Sequence, residues 1–136
     1  MKNKECFFSS LFFLINAIIA YQYKYYSYSL SFLFLVITSL FHHYYYTNIT
    51  RQIDRIVIII IAYYTIMIFY EKYKAKKINF KYIILYGIIC LFNLFLFAFG
   101  GYTNQYCFDK DHTTACLWHS LLHLITCIGG IILILI

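Results

Sequence analysis

The chain contains no proline and only five acidic residues, against eleven lysines and arginines. Charged residues fill 12% of its 136 positions, well short of the roughly one quarter usual in soluble domains, and this scarcity excludes a water-facing globule. The missing proline accompanies heavy use of Ile, Tyr, Phe, Lys and Asn, a bias that A/T-rich coding produces, and it carries no chemistry. The basic excess, formally +6, does not point to nucleic acid. Lys72, Lys74, Lys76, Lys77 and Lys81 fall in one hydrophilic break between apolar runs, as a loop at a membrane surface would have them. The cysteines are five, an odd and scattered set. Cys6, Cys90 and Cys127 lie within apolar runs, where a thiol behaves as a small hydrophobe. Cys107 and Cys116 flank the most polar loop, where a disulfide, zinc binding or two free thiols are all open.

What the sequence has in quantity is apolar surface: 63% hydrophobic residues and a mean hydropathy of +0.73. The apolar runs are Cys6 to Tyr21, Tyr28 to Tyr46, Ile53 to Tyr70, Phe80 to Gly100 and Ala115 to Ile136. A helix needs about 20 residues to cross about 30 Å of hydrocarbon. Five spans therefore nearly exhaust residues 1–136, predicting one all-α, multi-pass transmembrane bundle with no room for a soluble domain. Tyr44, Tyr45, Tyr46, Tyr63, Tyr64 and Tyr70 crowd the ends of the second and third runs, as an interfacial aromatic belt would. The first run follows Lys2 and Lys4, so a cleaved signal peptide is the alternative, with Ala17 and Ala20 as poor cleavage-site candidates.

Five antiparallel spans put the loops near Thr47 to Gln52 and Gly101 to Thr114 on one membrane face, with the Lys-rich loop on the other. The positive-inside rule assigns the Lys-rich loop to the cytosol. The margin is narrow: Lys24 and those five lysines on one side, against Lys2, Lys4, Arg51, Arg55 and Lys110 opposite.

Ionisable groups are expensive inside a bilayer and mark function, which singles out His42, His43, Asp54, His119 and His123. His43 ends the second run, Asp54 begins the third and His119 begins the fifth, so antiparallel threading brings all three to one face. His119 and His123 are four apart, one turn apart on the same side of a helix, a spacing that lets two imidazoles grip one ion. Ser39 stands in the same relation to His43. Three histidines with an open position make the catalytic zinc pattern. His42 points about 100° away from His43 and reads as an interfacial side chain. His112, beside Asp109 and Asp111, reads as solvated surface.

TSLFHH with Ser39 and His43, RQID with Asp54, and LWHSLLH with His119 and His123 together resemble the motifs of a superfamily of membrane hydrolases. It includes alkaline ceramidases, adiponectin-receptor-like proteins, GPI-remodelling lipases and the myomaker group. The resemblance implies that His43, His119 and His123 bind Zn2+, while Asp54 accepts or orients the proton of an attacking water. Ser39 then hydrogen-bonds that water or the oxyanion formed from the substrate. It also implies a lipid substrate, a ceramide-like amide before an ester, and residence in an endomembrane or the plasma membrane. The family's usual architecture has seven helices, so two middle spans are absent here, a loss that keeps the parity of the site. A compact enzyme, a homo-oligomer completing the lipid cavity and an inactive remnant all fit that departure. Three rival functions fit the same residues: a non-catalytic zinc protein that binds or remodels lipid, a Ser-His-Asp hydrolase, and a haem-binding bundle.

Overall fold

A computed structural model describes residues 4–136 of the chain, with side chains from residue 6 onward. The described residues are helical, with no strand among them, as the apolar runs predict. The elements are α1 (Lys4–Ser9), α2 (Phe12–Gln22), α3 (Tyr26–Tyr45), α4 (Asn48–Lys74), α5 (Phe80–Leu94), α6 (Gly100–Thr103) and α7 (His112–Leu135). A π turn, Phe95–Phe99, joins α5 to α6 without a break, and a 3-10 turn, Tyr106–Phe108, precedes α7. Three helical stretches, Asn48–Lys74, Phe80–Thr103 and His112–Leu135, are long and apolar enough to cross a membrane. The first apolar passage is shorter, Cys6–Gln22, and α3 carries serines, threonine, tyrosines and histidines along its 20 residues.

Local chemistry sets the boundaries. The first run is not one straight helix, because the hydroxyls of Ser9 and Ser10 both donate to the Cys6 carbonyl, at 2.9 and 3.0 Å. Such side-chain bonds compete with the backbone ladder and bend helices. The chain answers with tight turns, Leu11 N–H to Phe8 at 3.1 Å and Leu14 N–H to Leu11 at 3.0 Å. α3 ends where Tyr46 turns left-handed at φ 52° and its N–H reaches the His42 carbonyl. α4 starts on a reciprocal Thr47–Thr50 capping box, so its first turn reaches five residues ahead of the apolar run. Asp111 caps α7, and the hydroxyl and N–H of Thr114 hold its carboxyl below the usual carboxylate range.

α2 packs against α3 and α7, α3 against α4, and α5 rests chiefly on α7. The core joins Phe13, Ala17 and Ala20 of α2 to Phe32, Leu35 and Val36 of α3, with Ile61, Ile68, Leu133 and Ile134 from α4 and α7. Lipid tails are as apolar as leucine, so van der Waals fit and hydrogen bonds hold such helices together in a bilayer. The small residues serve this fit: at Ala17 the backbones come close enough for Ser29 to donate to the Ala17 carbonyl at 2.7 Å. At the end carrying the lysines, buried Lys72 donates to the Ile134 carbonyl at 2.7 Å, satisfying one of the open carbonyls that end α7. The outer surface is apolar, with Ile59 and Leu91 each 68% exposed.

Glycine at position 130 is required by space. A Cβ there would lie 2.6 Å from Nδ2 of Asn16 and 3.4 Å from Cζ of Phe32. Asn16 cannot swing aside freely, being fully buried and receiving the Cys127 S–H on its Oδ1 at 3.3 Å. Gly130→Val is therefore expected to destabilise the bundle by about 1–3 kcal/mol, the usual cost of overpacking. Gly87→Ala, with nothing within 4 Å of the new Cβ, is expected to be neutral or mildly stabilising. Thermal unfolding of the two variants in detergent measures the difference.

Candidate metal centre

His43, two residues before the end of α3, meets His119 and His123 in the first half of α7. The ring centroids lie 5.0 Å apart for His43 and His119, 5.6 Å for His43 and His123, and 4.6 Å for His119 and His123. One nitrogen from each ring falls within 4.8 Å of the other two. A tetrahedral zinc with bonds of 2.0–2.1 Å holds its ligands about 3.4 Å apart, so closing the cluster needs side-chain rotation on the order of 1 Å. The edge-to-face contact of His43 with His119 leaves no slot for a porphyrin between them.

Burial makes the cluster unusual. His43 and His123 are buried and His119 is half-buried. Neither ring nitrogen of His43 has a hydrogen-bond partner among the described residues. A buried polar atom left unpaired costs about 1–3 kcal/mol. A metal bond would satisfy one of the two, so the donor set fits a borderline-soft cation such as zinc.

His123 shows how the ligand is held. Its Nδ1 lies 2.9 Å from the Ser9 hydroxyl, which also reaches the Cys6 carbonyl at 2.9 Å. In the tautomer whose Nδ1–H donates to Ser9, the Nε2 lone pair is left for an ion, as with second-shell partners of metal-binding histidines. Ser39 lies 3.0 Å from the Ser10 hydroxyl, which in turn reaches the Cys6 carbonyl at 3.0 Å.

The three histidines read from the sequence as ligands converge. Asp54 and Ser39 also lie on the elements expected of them, but each is tied to a neighbour. Asp54, on α4, accepts from the Thr38 hydroxyl at 2.9 Å, and its carboxylate is not among the groups gathered within 4.8 Å. His42 is half-buried, with Nδ1 3.4 Å from the Thr50 hydroxyl, and its ring stacks on Tyr46 at 5.5 Å. It faces α4 as well as the interface. His112 is exposed, as its loop composition implies. All five cysteines are free, and Cys116 faces Cys6, the sulfurs 2.7 Å apart, not Cys107. Cys6 is thus more than a small apolar filler.

Ser9, Ser10, Thr38 and Thr50 were missed by sequence reasoning. Ser9 and Ser10 form a polar pair inside an otherwise apolar run, and such a pair must find partners in the bundle. That was the available signal. Comparison with protein-family models, curated proteins and solved structures finds no match.

Elemental analysis of the purified chain is expected to find about one zinc per chain, absent from His43→Ala. Ser9→Ala should weaken zinc about 10–100-fold in a chelator competition, the usual cost of losing a second-shell partner, while Ser9→Thr retains most of the affinity.

Proposed function

We propose that the chain is a multi-pass membrane protein whose His43, His119 and His123 hold Zn2+, and that it hydrolyses the amide, or with less support the ester, of a membrane lipid. One observation carries the metal part: three histidines from α3 and α7 gathered within 4.8 Å in an apolar bundle, one with both nitrogens unpaired. The motif resemblance to alkaline ceramidases and their relatives supplies the hydrolytic part and makes a ceramide-like lipid the leading substrate. The apolar exterior supports a substrate arriving laterally through an endomembrane or the plasma membrane.

When bound, zinc supplies Lewis acidity, making water a better nucleophile near neutral pH and polarising a carbonyl. The residues of the chain do the remainder. Ser9, bonded to Nδ1 of His123, would hold the tautomer that leaves Nε2 free for the ion. Thr38 orients Asp54 through Oδ1, which leaves Oδ2 to accept a proton from the attacking water. Ser39, hydrogen-bonded to Ser10, would orient the water or the oxyanion formed from the substrate. A Ser-His-Asp relay is disfavoured because no hydrogen bond links His43 to Ser39 or Asp54 among the described residues.

A second reading has its own observation. Asp54 and Ser39 are each engaged by a neighbour, as in a zinc site kept for stability in a lipid-binding or membrane-remodelling protein. Purified protein incubated with fluorescent ceramide and phospholipid analogues separates the two. Catalysis predicts fatty-acid release that falls about 10²–10⁴-fold in Asp54→Asn, the range for a lost general base, and disappears in His119→Ala. Unaltered lipid in the presence of a full complement of zinc supports the second reading and overturns the first.

A further inference from the structure

Cys6 and Cys116 are both 3% exposed and lie 110 residues apart in sequence, yet their sulfurs are 2.7 Å apart. A disulfide bond of about 2.05 Å closes that gap with less than an ångström of movement. The Cys6 thiol also lies 3.5 Å from the Cys116 carbonyl, so the thiol faces α7 directly. Cys116 stands one turn before His119 on α7. Cys6 carries the carbonyl that receives both Ser9 and Ser10, and those hydroxyls hold His123 and Ser39. The thiol pair is thus one residue removed from the bonds that set the histidine cluster.

We propose that Cys6 and Cys116 are a redox cross-linking site: their disulfide pins α1 onto α7 and tightens the grip of the histidine cluster on its ion. The second half rests on the zinc reading and the first half does not. The oxidant is a small-molecule disulfide such as glutathione disulfide. The Cys6 thiolate attacks one of its sulfurs, expelling a glutathione thiolate and leaving a mixed disulfide. The Cys116 thiolate then attacks the Cys6 sulfur and expels the second glutathione. Two electrons pass from the cysteine sulfurs to glutathione, and the two thiol protons end on the two released glutathiones. Because both cysteines are buried, exchange proceeds while six-residue α1 is undocked, and docking then shields the bond from reductant. The positive-inside rule, placing the Lys-rich loop in the cytosol, puts this pair on the opposite face, where compartments are oxidising.

The test equilibrates the full-length chain in detergent with glutathione buffers of high and low disulfide content, alkylates free thiols, and maps peptides without reduction. The expected result is a Cys6–Cys116 peptide under oxidising conditions, with Cys90, Cys107 and Cys127 alkylated, formed whether or not zinc has been stripped by chelator. Cys116 linked to Cys107, or Cys6 and Cys116 both alkylated under oxidising conditions, overturns the proposal. In zinc-loaded protein, oxidation is expected to slow release to a chelator on the order of tenfold, the scale of second-shell effects on metal affinity. Cys116→Ser should release at one rate under both conditions. A cross-link that leaves the release rate unchanged overturns the coupling. Protein that never takes up zinc defeats the metal reading alone, and the peptide map still decides the cross-link.

Discussion

An imidazole buried in an apolar bundle with neither nitrogen paired is the constraint around which this molecule is arranged. In water His43 would hydrogen-bond freely; among lipid-like surroundings it cannot, and each unmet bond costs free energy. The surrounding helices do not supply a conventional acceptor. They supply two further imidazoles, themselves buried or half-buried, at edge-to-face distances. Three basic rings pressed together without an anion are poorly compensated by one another, whereas a shared divalent ion compensates all three. The unpaired nitrogens of His43 thus suit a metal ion, and they carry nothing about a reaction.

The polar residues of α3 divide into two seams. Ser39 and His43 face Ser10, in the turn between α1 and α2, and α7, while Thr38 and His42, one step back along the chain, face Thr50 and Asp54 of α4. Consecutive residues on a helix are separated by about 100°, so a single helix end serves two neighbours. The Asp54 carboxylate belongs to the second seam, joined to the first through the backbone of α3 and the contact between His42 and His43 at 5.2 Å. Thr38 bonds one oxygen of Asp54 much as Ser9 bonds one nitrogen of His123.

The helical class and the convergence of the three histidines were legible because they depend on long periodic signals: apolar runs of span length and the four-residue step between His119 and His123. The run boundaries were less so. α4 begins at Asn48 because a Thr47–Thr50 capping box extends it, and α7 begins at His112 because Asp111 caps it; hydropathy registers neither device. The break at Ser10 and Leu11 is a competition between hydroxyls and the backbone, visible only once both serines are seen to share the Cys6 carbonyl. The Cys6–Cys116 contact was the least accessible. Sequence proximity and loop polarity offered Cys107 as one possible partner of Cys116, with free thiols and zinc binding equally open, and packing between distant parts of the chain put Cys6 beside it instead.

α5 shows what the centre does without. No side chain of α5 itself is buried, and a cavity of about 660 Å³ opens between it and α4, lined by residues such as Ala62, Ile66, Phe69, Tyr86 and Gly87. At the histidine end its continuation is tied more closely, with the Arg55 guanidinium 5.8 Å from the Phe97 ring and Leu96 fully buried. The histidines come from α3 and α7, and Ser9 of α1 bonds one of them, His123, so α5 does not enter the cluster. The open side of the bundle, between α4 and α5, thus lies apart from the histidine cluster, which draws nothing from it.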